Sequence, residues 1–74
     1  MTATETATFD RLIELEADLT VARALRDNGI DAATRERGAA MFAKVDPAFD
    51  AAWMALSNAA IDRFFAYRKE VLDI

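Results

Sequence analysis

From Ala48 to its end the chain contains neither proline nor glycine, and this uninterrupted run is the feature that most narrows what it can fold into. Just before it, Asp46 offers a side-chain oxygen to the free N–H groups of a first helical turn. Pro47 follows at the first helical position, where its missing N–H costs nothing. The pattern predicts one long C-terminal helix over about 47–73. Its apolar residues fall into two stripes. Phe49, Trp53, Leu56, Ala60, Phe64, Tyr67 and Val71 recur at spacings of three and four, and Met54, Ile61, Phe65 and Leu72 at seven, four and seven. At about 100° per residue the stripes are offset by roughly a third of a turn and cover close to half the cylinder.

The upstream sequence supplies two shorter amphipathic segments. Met1 to Thr8 is rich in Thr and Ala without apolar periodicity, and is expected to fray. Thr8 is the expected cap of a first helix over about 9–28, whose seam is Leu12, Leu15, Leu19 and Ala22. Asn28-Gly29-Ile30 reads as a stop, with a residue tolerant of positive φ followed by an apolar residue able to fold back on the last turn. Asp31 then caps a second helix over about 32–45, with Gly38, Met41, Phe42 and Val45 on its inner side. Gly38 weakens that helix by about 1 kcal/mol relative to Ala, and leaves a low surface that another helix can approach.

These elements define an all-α, single-domain chain over residues 1–74: a helical hairpin plus one long C-terminal helix. The second helix is about half as long as the third, and the first covers one stripe. Cover therefore runs short around Phe64, Phe65, Tyr67 and Leu72. The expectation is a bundle completed by a homodimer or by another protein. The expected interface is Met54, Ile61, Phe65 and Leu72, with Tyr67 and Arg68 at its rim.

Residue types that carry chemistry are scarce. The chain has no cysteine and no histidine, hence no disulfide, thiolate or imidazole ligand, and no ready general base near neutral pH. Ser57 has no base beside it in sequence. The carboxylates Asp10, Glu14 and Asp18 lack the Glu-x-x-His partners of a di-metal bundle site, and read as a solvated face or a docking stripe for a basic partner. With only Gly29 and Gly38 there is no glycine-rich phosphate loop. The expectation is a non-enzymatic protein with no catalytic residues, cofactor, metal or small-molecule substrate. Phosphopantetheine carrier domains are likewise small, acidic and helical, but their arm is attached to a Ser that follows Asp at a helix start, whereas Ser57 follows Leu56.

Charge is uneven along the chain. The net charge is −4, yet residues 19–45 carry Arg23, Arg26, Arg35, Arg37 and Lys44 against three acids. The alternative reading is a dimeric helix-turn-helix-like DNA-binding regulator using the second helix, with Arg35 and Arg37 as contacts. The overall acidity argues against nucleic acid as the main partner. No run is long enough to span a bilayer, and Met1-Thr2-Ala3-Thr4-Glu5 lacks a basic segment followed by an apolar one, so the expected location is cytoplasmic. The segment Phe9-Asp10-Arg11-Leu12-Ile13-Glu14-Leu15-Glu16 with its following Gly turn resembles the small subunit of exonuclease VII, a short acidic helical chain that assembles on a larger subunit. The second helix departs from that family in lacking a Leu-Glu-Glu start, and Asp46-Pro47 interrupts it early. The favoured class is therefore an accessory subunit or a stoichiometric inhibitor or regulator, without a family assignment.

Overall fold

The computed structural model describes residues 2–73. Three helices account for almost all of them: α1 (Ala3–Asn28), α2 (Ala32–Met54) and α3 (Asn58–Leu72), with no strand among the described residues. The all-α class and the three-helix count agree with the sequence reading, but the start of α1, the end of α2 and the start of α3 do not.

The first helix begins at Ala3 instead of after Thr8. Thr2 is its cap: the Thr2 hydroxyl oxygen accepts the Glu5 N–H at 3.1 Å, and Glu5 places negative charge in the first turn. Residues 3–8 are therefore helical, and the Thr8 hydroxyl donates to the Thr4 carbonyl at 3.0 Å inside the helix. The seam Phe9, Leu12, Leu15, Leu19 and Ala22 is buried.

The hairpin turn is built differently from the expected left-handed stop. Gly29 has φ −60° and ψ 138°, a conformation open to any residue. Glycine is needed there for space, since a Cβ would stand 2.5 Å from the Leu25 carbonyl oxygen and 3.0 Å from Cγ of Arg35. Ile30 does not fold back on α1; it is 94% exposed at the apex. Asp31 caps α2 as expected, accepting the Thr34 N–H at 2.7 Å.

The larger correction concerns Asp46-Pro47. This pair does not start a helix, because α2 runs through it to Met54. An interior proline removes one backbone hydrogen bond and crowds the carbonyl four residues back, at a cost of about 3 kcal/mol. Two circumstances offset that cost. Ala43 and Pro47 both face water, which can solvate the orphaned carbonyl. The helix is also anchored on both sides, by Val45 against Leu15 and Leu19 and by Phe49 and Trp53 against the cluster of Phe9 and Leu12.

The break falls instead at Ala55-Leu56-Ser57. The Leu56 N–H reaches back only three residues, to the Trp53 carbonyl at 3.0 Å, which tightens the last turn. Ser57 leaves helical geometry (φ −72°, ψ 163°), and its Oγ accepts the Ala60 N–H at 3.1 Å. It is thus an N-cap, not a mid-helix serine, and the two-striped long helix is two helices.

The three helices share α1 as a spine. Along its length α2 lies antiparallel, from Trp53 beside Phe9 to Gly38 against Leu25 and Arg26. Meanwhile α3 turns back and follows α1 in the same direction, with Arg63 at Glu5, Tyr67 at Asp10, Arg68 at Glu16 and Leu72 over the stretch from Ile13 to Thr20. Apart from the aromatic junction at Trp53, α2 and α3 do not pack on one another among the described residues. The molecule is consequently elongated, at 44 × 25 × 18 Å. Its radius of gyration is 14.2 Å, where a compact chain of this length has about 11 Å. It exposes 5072 Å² against about 4,500 Å² for a compact monomer of its mass.

Candidate protein-interaction surface

The only tryptophan sits where the three helices meet. Its ring stacks on Phe49 at 6.1 Å and takes Phe64 and Phe65 edge-on at 5.8 and 5.9 Å. Phe64 in turn meets Phe9 edge-on at 5.4 Å, and both are almost completely buried. Such pairs add about 0.5–1.5 kcal/mol each beyond the area they bury. The core therefore closes over Phe64, while its neighbour Phe65 remains 53% exposed on the outer edge of the same aromatic group. Met54, one residue past Trp53, is 75% exposed.

The structure divides the six expected interface residues. Phe65 packs on the half-buried Trp53, and Met54 ends α2 one residue past it, so both exposed apolar side chains lie at the α2–α3 junction. Ile61 is half-buried on the same helix edge. Leu72 lies farther along α3, partly exposed, over a shallow recess of about 110 Å³ shared with Ile13, Glu16, Ala17 and Thr20. That volume is well below the roughly 300 Å³ at which small-molecule pockets begin.

Tyr67 and Arg68 are half-buried and bond to α1. The Tyr67 hydroxyl donates to the Asp10 carboxylate, and Arg68 grips Glu16 through both Nε, at 3.0 Å, and Nη2. Arg63 holds Glu5 in the same forked way, with Nη2 at 2.9 Å. These clasps fasten α3 to α1, and sequence reasoning missed them. Partners more than fifty residues apart leave no local spacing signal, and once residues 1–8 were read as frayed, Glu5 had no role.

The clasps give stability a pH dependence whose sign can be worked out. The Arg63 guanidinium holds the Glu5 carboxyl below its ordinary value; hydrogen bonds from Arg26 and Thr34 do the same for Asp27 and Asp31. Each contributes stability above the ordinary carboxylate pKa of about 4, and loses it as pH falls through the depressed folded value. Tyr67 shifts the other way: its hydrogen bond to Asp10, followed by burial, raises its pKa. Its contribution is complete below about pH 10 and is lost as pH rises through the raised value. The urea midpoint should be flat between about pH 5 and 9 and fall on either side. The single tyrosine makes the alkaline limb directly readable by phenolate absorbance. Tyr67 should titrate late in the native protein and earlier in Asp10→Asn, which removes the largest cause of the shift; an ordinary titration in the native protein would refute the clasp.

The two arginines singled out for DNA have other surroundings. Arg35 Nη1 donates to the Gly29 carbonyl at 3.0 Å and clips the hairpin turn, while Arg37 is exposed. Nearby, Arg26 and Arg23 lie over the Phe42 ring, at 4.4 and 5.7 Å. A helix-turn-helix sets its helices at about 90–120°, leaving the second free to enter a groove. Here α2 lies along α1 instead. No group of three carboxylates converges to hold a metal ion among the described residues, and no helix of the described residues is long and apolar enough to cross a membrane.

No protein-family model matches the chain, and no curated protein or solved structure is significantly similar to it. The surface must be read from its own chemistry.

Proposed function

We propose that this chain is a non-enzymatic protein-interaction module, an accessory subunit or a stoichiometric regulator, that binds through the apolar patch at the α2–α3 junction. The observation that carries the reading is Phe65, held half-exposed against Trp53 on a scaffold whose second and third helices leave each other uncovered. An aromatic side chain fixed by a buried neighbour loses little entropy on docking, which is why such residues anchor protein interfaces. Met54, exposed at the end of α2, supplies an adaptable contact at the same junction. The proposal includes a cytoplasmic location.

A photo-crosslinking side chain at Met54, in the cells that make the protein, tests this reading. Discrete adducts should form, to this chain or to another protein, and should disappear in a Phe65→Asp background. The same substitution should lower affinity by at least tenfold while the far-ultraviolet dichroism keeps its helical signal, because Phe65 contributes its surface and not its core position. If no adduct forms, or if Phe65→Asp leaves every adduct in place, the patch is not the binding surface.

A further inference from the structure

Three features of the molecule, taken together, specify what covers it. The first is coverage: α3 is 15 residues long, about 22 Å, and ends beside the stretch of α1 from Ile13 to Thr20. Beyond that point the hairpin is only two helices thick out to its apex at Ile30. Exposed apolar side chains occur on both sides of this boundary, with Val71 and Leu72 at the end of α3 and Val21 on α1 just beyond it.

The second feature is charge. The hairpin half, residues 19–45, has five basic and three acidic side chains, a net +2. The remaining residues have four basic and ten acidic ones, a net −6. Because α3 folds back over the N-terminal part of α1, most of that acidity lies in the half of the rod away from the apex and the basic excess in the apex half. Several of the acids, among them Asp18, Asp46, Asp50 and Asp62, have no ion-pair partner among the described residues.

The third feature is size. A stable interface removes about 800 Å² from each partner. A long side of this molecule measures 44 by 18 Å, roughly that area, whereas its ends at 25 by 18 Å are about half of it. Only lengthwise packing offers enough surface.

We infer that the occupant is a second copy of this chain, packed lengthwise and antiparallel, each copy laying the exposed edge of its α3 against the two-helix half of the other. This deepens the protein-interaction reading and rests on it. Antiparallel pairing sets each basic apex beside the partner's acidic end, where parallel pairing would set like charges together. A two-fold axis lets one contact cover both bare halves at once, which is the closed form that such self-complementary surfaces take.

The chain contains no cysteine, so single cysteines report the arrangement cleanly. Ile30 at the apex and Ala59 at the start of α3 are both exposed, and replacing them leaves the core intact. Ile30→Cys and Ala59→Cys should each stay uncrosslinked when oxidised alone, and should form a mixed disulfide dimer when combined. Sedimentation equilibrium of the unmodified protein should give twice 8.2 kDa, with a dissociation constant severalfold weaker in about 0.5 M salt. Ile30→Cys crosslinking to itself overturns the antiparallel arrangement. A monomer at every concentration and salt overturns self-association altogether; adducts at Met54 to a different protein would then still uphold the interaction reading, and their absence would remove both.

Discussion

Gly38→Ala is expected to unfold most of the protein, although alanine is the better helix former. Replacing glycine by alanine in a helix interior gains about 1 kcal/mol of propensity. At this position the added Cβ would stand 2.7 Å from both the carbonyl carbon and Cβ of Leu25, and closer still to the backbone nitrogen of Arg26. Two of those atoms are main chain in the last turn of the neighbouring helix, so no rotamer change relieves the overlap. The helices must move apart, loosening Phe42 from Arg26 and Val45 from Leu19. Overpacking of this kind costs typically about 1–3 kcal/mol and more when backbone is struck. Set against the stability of a chain this short, that is most of what there is. Urea denaturation of the variant measures it. A midpoint equal to or above that of the parent would mean that α1 and α2 do not meet at Gly38.

Phe64→Ala should destabilise by about 3–5 kcal/mol, the usual range for emptying a buried phenylalanine site. Phe64 is 1% exposed and touches Phe9, Trp53 and Phe65 at once, so its removal leaves a void bordered by all three helices. The neighbouring Phe65→Ala should cost much less, since half of that ring is already in water. Thermal melts of the two variants give the contrast. Equal losses would mean that the helix is rotated from the placement described, with the neighbouring phenylalanines sharing the interior.

That pair of phenylalanines also shows how far the sequence was legible. Periodicity assigned Phe64 to one stripe and Phe65 to another, and the seam Leu12, Leu15, Leu19 and Ala22 was read correctly as buried. The long helix was misread for two separate reasons. Pro47 resembles a helix start in every local respect, and only the tertiary anchoring of Val45 and Phe49 on either side lets α2 continue through it. The true break at Ser57 was hidden because the stripe from Phe49 to Val71 keeps its spacing across it: both segments aim at the same α1 residues around Phe9. The remaining signal was the pair Ser57-Asn58, two residues that favour helix caps over helix interiors. The bonds of Tyr67 and Arg68 to α1 were not legible, since nothing in local spacing announces that α1 carries carboxylates at matching heights.

The use of α1 as a common spine sets the order in which the molecule comes apart. The hairpin keeps its inner face, Leu15, Leu19 and Val45, whether or not α3 is docked. By contrast, α3 buries only Ala60 and Phe64 and relies on its clasps to Glu5, Asp10 and Glu16. Detachment of the C-terminal third is therefore a smaller excursion than global unfolding, and its amides should exchange with solvent deuterium well before those of Leu15 to Ala22.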